Sequence, residues 1–201
     1  MNVAVFASGG GTNFGAIVTR VQTEDLENTC IRVLVSNNSN CGAVNIAKQN
    51  AIETVHISNV THPDPSEYAA AMLNILEARQ IGLIVLAGYM KLLPCVVVSR
   101  YPERIVNIHP ALLPRFGGTG MYGMNVHQAV IDSGVRESGV SVHFVNEEYD
   151  KGTLIAQEKV KVHQGDTPET LAARVLEKEH DLYWRVIDHL INGRPNIDRP
   201  V

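Results

Sequence analysis

Apolar residues fall into short, nearly unbroken runs at 3–7, 31–35, 83–87 and 104–108, and between these runs they recur every three or four positions. A run without alternation is what a strand buried on both faces of a parallel sheet needs, and the wider spacing is that of a helix lying on such a sheet. Phe14, Ile17, Val18 and Val21 make one helical stripe. Tyr68, Met72, Ile75 and Leu76 make another, in a helix that Pro65 opens and that runs to about residue 80. Shorter helices are predicted at 43–51, 94–100 and 126–132, and a short strand at 54–57. Residues 141–145 and 154–162 read as late strands joined by a polar turn. Thr167-Pro168-Glu169 starts a final helix whose Leu171, Val175, Leu182, Val186 and Leu190 share one stripe, and Gly193 stops it. This β-α rhythm implies right-handed crossovers and a mostly parallel sheet covered by helices. No repeat, low-complexity tract or linker interrupts it, so one domain over residues 1–201 is expected.

Composition narrows the function classes. The chain has 201 residues, 45% hydrophobic and 19% charged, enough to build a folded core. Seventeen Lys and Arg against 21 Asp and Glu give a net charge of −4, which argues against a nucleic-acid partner, because such binding rests on neutralising phosphates. A small anion held by a local pocket remains compatible with that balance. Cys30, Cys41 and Cys95 are odd in number and widely spaced, so neither a disulfide framework nor a zinc site is expected and a cytoplasmic location is natural. The first apolar run is too short for a signal peptide, and no run approaches the ~18 residues of a membrane span.

Four segments carry candidate chemistry. Ser8-Gly9-Gly10-Gly11-Thr12-Asn13 lies between the first strand and first helix. Glycines let backbone N–H groups approach a phosphate, and a helix N-terminus favours its charge, but a tight structural turn has the same composition. The segment is neither a Walker loop nor a G-x-G-x-x-G loop. Asn107 and His109 stand two apart at the carboxyl end of a strand, the edge where parallel sheets bind ligands, so both side chains point one way. An amide and an imidazole together suit acyl transfer, one stabilising an oxyanion and the other moving protons; a histidine capping a loop is the plainer alternative. Asp150 is a carboxylate that can orient an imidazole, within a turn that is otherwise acidic and solvated. Gly88-Tyr89-Met90-Lys91-Leu92-Leu93-Pro94 is an apolar loop able to clasp a flat heteroaromatic ring, or else an ordinary connection. His143 lies on an apolar strand and reads equally as structural. His56, His62, His127, His163, His180 and His189 show no metal-ligand spacing, and no metal is expected.

Taken together, Ser8-Gly9-x-Gly11-Thr12-Asn13, the 86–93 segment, Asn107-Ile108-His109-Pro110-Ala111-Leu112-Leu113-Pro114, Ser141-Val142-His143-Phe144-Val145 and Asp150-x-Gly152 resemble the phosphoribosylglycinamide formyltransferases, a family of folate-dependent enzymes of purine biosynthesis. The resemblance implies an α/β, Rossmann-like, mostly parallel twisted sheet with helices on both faces and antiparallel late strands. It implies 10-formyltetrahydrofolate as co-substrate and glycinamide ribonucleotide as acceptor, in a monomer or homodimer without nucleic acid or membrane. It assigns Asn107, His109 and Asp150 to catalysis, with Asp150 raising the pKa of His109. It assigns Gly11, Thr12 and Asn13 to the substrate phosphate, Met90, Lys91, Leu92, Leu93 and Asn107 to the folate, and Glu179 to the substrate ribose. Two departures stand out. Asp64-Pro65-Ser66 replaces a basic residue often found before that helix, and the glycine-rich segment 115–125 is longer than in many relatives.

Three other readings compete. A formyltransferase acting on methionyl-tRNA is expected to carry a further C-terminal domain and a different first loop. A formyltetrahydrofolate hydrolase is expected to carry an N-terminal regulatory domain. A non-catalytic nucleotide-binding module has no use for Asn107, His109 and Asp150 together.

Overall fold

The structure, a computed structural model, describes residues 1–194. Seven strands and six helices follow in the order β1 (Asn2–Phe6), α1 (Thr12–Gln22), β2 (Cys30–Ser36), α2 (Gly42–Gln49), β3 (Thr54–His56), α3 (Pro65–Ala78), β4 (Leu83–Leu86), α4 (Cys95–Arg100), β5 (Ile105–His109), α5 (Met124–Asp132), β6 (Glu137–Phe144), β7 (Leu154–Lys161) and α6 (Pro168–Asn192). The strand order is β3-β2-β1-β4-β5-β6-β7. The chain divides into two compact units, Met1–Val106 and the part that begins at Asn107, and β5 runs across that boundary.

In the first unit β1 pairs in parallel with both β2 and β4, and β2 with β3. Being central, β1 and β4 have no solvent side, and Val3, Ala4, Val5, Phe6, Leu83, Ile84, Val85 and Leu86 are all buried. The core extends to Phe14 and Ile17 of α1 and Met72 and Leu76 of α3. Asp64 accepts the N–H groups of Ser66 and Glu67 and so caps α3, with Pro65 in its first turn. The segment that lacks a basic residue therefore serves as a helix start.

In the second unit β6 and β7 are antiparallel, from Glu137 opposite Lys161 to His143 opposite Leu154. β7 is the edge strand and carries Glu158, Lys159 and Lys161, charges that blunt an open edge. A reciprocal Thr167–Thr170 capping box starts α6, and Gly193 ends it in the left-handed conformation. Leu171, Val175, Leu182 and Val186 are buried as the stripe requires, and Leu190 is half-buried. β6 starts four residues ahead of the predicted strand. Glu137, Ser138 and Gly139 carry no apolar signal, although Ser138 and Gly139 are buried.

Candidate active site

β5 delivers Asn107 and His109 as the two-residue period of a strand requires. Asp150 arrives from the β6–β7 connection. Gly152 makes that approach possible: a Cβ there would lie 1.6 Å from the Phe144 carbonyl oxygen, so the returning chain lies against the end of β6. Asp150 has φ of +55°, a strained value for a residue with a side chain. The three sequence-predicted residues come together. His109 Nδ1 is 3.6 Å from Asp150 Oδ2, and Asn107 Nδ2 is 3.5 Å from Asp150 Oδ1.

His143 joins them from β6, a residue the sequence left open. Its Nδ1 faces the Phe144 carbonyl at 2.8 Å, an oxygen that only accepts, so Nδ1 carries the proton of the neutral ring. Nε2 is then an acceptor, and Asn107 Nδ2 donates to it at 3.2 Å. The Asn107 amide is thereby oriented by two partners, because its Nδ2 also donates to Asp150 Oδ1 at 3.5 Å. The glycine-rich segment also reaches the site. Phe116 accepts from His109 Nε2 through its carbonyl at 2.8 Å, and Gly118 N–H donates to Asp150 Oδ2 at 2.9 Å. Phe116 has φ of +57°, a second strained residue, in contact with His109. Ser141 and Gln157 brace the neighbouring turn: Ser141 Oγ donates to Ala111 O at 2.6 Å, and Gln157 Nε2 donates to Leu113 O at 3.0 Å. None of these backbone contacts has a sequence signal beyond the glycine content of the segment.

The electrostatics depart from expectation at His109. Burial pushes its pKa below the ordinary 6.5, and this outweighs the upward pull of the Asp150 carboxylate and of the Phe116 carbonyl. The resting ring is therefore neutral at pH 7, with its proton on Nε2. Asp150 remains ionised. Burial pushes its carboxyl up, but His143 when it carries a proton on Nε2, His109 and the Gly118 N–H together hold it below 3.8. Burial also lowers His127, more so when His109 is protonated, and lowers His180. His127 Nδ1 is buried without a hydrogen-bond partner among the described residues.

These three histidines set an acid limit on stability. Unfolded, each binds a proton near pH 6.5; folded, each resists it, so unfolding takes up protons below that pH. Stability is expected to be flat above pH 7 and to fall as pH drops from about 6.5 toward the lowered native values. Thermal unfolding between pH 7.5 and 5.5 checks this, and a constant Tm across that range contradicts it. Asp150 acts only in the carboxylate range, at pH near or below about 4, and does not offset the loss.

The other predicted residues lie in the first unit, except Glu179. Gly11 has φ of +79°, and a Cβ on it would lie 2.6 Å from Ala43 Cα, so the glycine loop packs backbone-to-backbone on the start of α2. No side chain caps α1. The first-turn N–H groups at Thr12 and Asn13 thus belong to a helix start without a side-chain acceptor, the arrangement that suits a phosphate. Met90, Lys91 and Leu92 are exposed in the connection after β4, whereas Leu93 is buried in the core. Glu179 is buried on α6, apart from the contacts that join Asn107, His109, His143 and Asp150. Among the described residues no three His, Cys, Asp or Glu side chains are grouped to hold a metal ion, and no helix is long and apolar enough to cross a membrane.

Residues 1–187 match the formyl transferase family. The chain is 42% identical over 193 residues to a chloroplastic phosphoribosylglycinamide formyltransferase of Arabidopsis thaliana, covering 96% of this chain and 66% of that protein. It is 34% identical over 194 residues to the phosphoribosylglycinamide formyltransferase of Escherichia coli, covering 96% and 89%. A solved structure of phosphoribosylglycinamide formyltransferase from Bacillus halodurans superposes with a TM-score of 0.88 at 33% identity, covering 99% of this chain and all of that one. The chain thus spans about two thirds of the plant relative and nearly the whole of the bacterial ones.

Proposed function

The chain belongs to the formyl transferase family and resembles its phosphoribosylglycinamide formyltransferases over nearly its full length, and from that premise we propose that it transfers the formyl group of 10-formyltetrahydrofolate to the amine of glycinamide ribonucleotide. The observation that carries this reading is the closed set of Asn107, His109, His143 and Asp150 contacts.

The neutral amine attacks the formyl carbon, and the carbonyl electron pair moves to oxygen. The Asn107 amide and the Nε2–H of His109 donate to that oxyanion, Asn107 exchanging its long contact with Asp150 Oδ1 for it and His109 the Phe116 carbonyl. Donors fixed near the place where charge develops lower the barrier. The oxyanion favours the imidazolium that His109 becomes on taking a proton from solvent at Nδ1, and Asp150 beside Nδ1 stabilises the same form. Collapse breaks the bond between the formyl carbon and N10. The proton lost by the amine passes to N10 through a water, or through His109 once it is imidazolium, which gives its Nε2 proton to N10 and regains one from the amine, leaving formylated amine and tetrahydrofolate. The glycine loop holds the substrate phosphate through Gly11, Thr12 and Asn13. Met90, Lys91 and Leu92 flank the folate, Leu93 supports them from the core, and Glu179 serves the ribose. Holding two substrates in one geometry supplies much of the remaining acceleration. The enzyme acts in the cytoplasm, as a monomer or homodimer.

Supplying the folate with a 13C-labelled formyl group tests the reaction. The label is expected on the glycinamide nitrogen; label recovered only as formate contradicts transfer and favours hydrolysis.

A further inference from the structure

Ser8, which follows β1, is a junction between three loops. Its Oγ accepts the Met90 N–H at 3.0 Å and donates to Asn37 Oδ1 at 2.5 Å. Its own N–H donates to the Gly88 carbonyl at 3.1 Å. The direction of this chain is determined, because a main-chain N–H only donates and the hydroxyl has one proton to give to Asn37. Asn37 follows β2, and Gly88 and Met90 follow β4. One nearly buried hydroxyl therefore ties together the carboxyl ends of three adjacent parallel strands, the edge at which such sheets bind ligands. On one side of Ser8 the main chain continues into Gly9–Asn13, and across the hydrogen bond it continues from Met90 into Lys91 and Leu92.

We propose that Ser8 is a positioning residue that couples the phosphate-holding loop to the folate-holding segment. This rests on the functional reading above. Ser8 touches no reacting atom. Its hydroxyl sets the spacing between the glycine loop and the Met90 main chain, so that filling either segment orders the other. Losing it leaves the Met90 N–H without its acceptor and Asn37 Oδ1 without its donor, and the two segments lose their shared register.

The test uses the full chain as wild type, Ser8→Ala, Ser8→Thr, Asn37→Ala and the Ser8→Ala/Asn37→Ala double variant. The readouts are kcat, KM for each substrate, and the affinity for glycinamide ribonucleotide with and without tetrahydrofolate. A net hydrogen bond of about 1 kcal/mol corresponds to roughly fivefold in binding. KM is expected to rise by about that factor for both substrates in Ser8→Ala, with kcat changed less. Tetrahydrofolate is expected to tighten glycinamide ribonucleotide binding in the wild type and to lose that effect in Ser8→Ala. Ser8→Thr restores both, and the double variant is no worse than Ser8→Ala because the two side chains act in one chain of bonds. A lowered Tm with unchanged KM values, a change in one KM alone, or additive effects of the two single substitutions overturns the coupling. Wild-type turnover together with any of these removes Ser8 alone, whereas a wild type that does not formylate glycinamide ribonucleotide removes the functional reading and the coupling with it.

Discussion

Asn107→Ala is expected to lower kcat by roughly 10²–10³, the usual loss for one oxyanion donor, while KM for either substrate changes little. The effect follows from how the amide is held. His143 Nε2 accepts one N–H at 3.2 Å, and His143 is itself fixed by the Phe144 carbonyl at 2.8 Å. The remaining N–H faces Asp150 Oδ1 at 3.5 Å, a long contact that it exchanges for the oxyanion when charge develops. A donor that contributes mainly in the transition state appears in kcat rather than in KM. His143→Ala removes the orientation and keeps the donor, so a smaller loss, on the order of tenfold, is expected from it. Asn107 is only half-buried, and thermal unfolding of the alanine variant checks that its fold is intact. Steady-state rates within tenfold of wild type at saturating substrates contradict the role.

Asp150→Asn is expected to cost roughly 10²–10³ in kcat as well, and to reshape the pH profile. Burial already holds His109 below 6.5, and the carboxylate 3.6 Å from Nδ1 is the main influence that opposes it. Without that charge the imidazolium becomes harder to form and the ring titrates lower still. The deficit against wild type is therefore expected to be constant above about pH 6.5 and to narrow on acidification below it, through the range where the ring takes its proton. The amide also faces Gly118 N–H, where the carboxylate accepts at 2.9 Å, so a small part of the loss is positional and does not vary with pH. A deficit that does not narrow on acidification below about pH 6.5 contradicts an electrostatic role for Asp150.

Much of this arrangement is visible in the residue pattern. The unbroken runs at 3–7 and 83–87 become β1 and β4 because central parallel strands leave no face for polar residues. The Asn107–His109 pair is legible because a strand repeats every two residues. What escapes the pattern is held by backbone or by small residues. The first half of β6 is hidden by Glu137-Ser138-Gly139. The carbonyl of Phe116 and the N–H of Gly118 reach His109 and Asp150 without any side-chain signature. His143 reads as structural from its apolar strand, and only the fold reveals that its two nitrogens face a carbonyl and an amide. The resting charge of His109 is likewise a property of depth, since desolvation outweighs a neighbouring carboxylate that is evident from sequence.

The central claim is transfer to glycinamide ribonucleotide, and the initial rate of folate turnover with and without that acceptor tests it most directly. The absorbance of 10-formyltetrahydrofolate incubated with the protein is expected to change only when glycinamide ribonucleotide is present, with one formyl group transferred for each tetrahydrofolate released. Equal rates with and without the acceptor, or no turnover with it, contradict the claim.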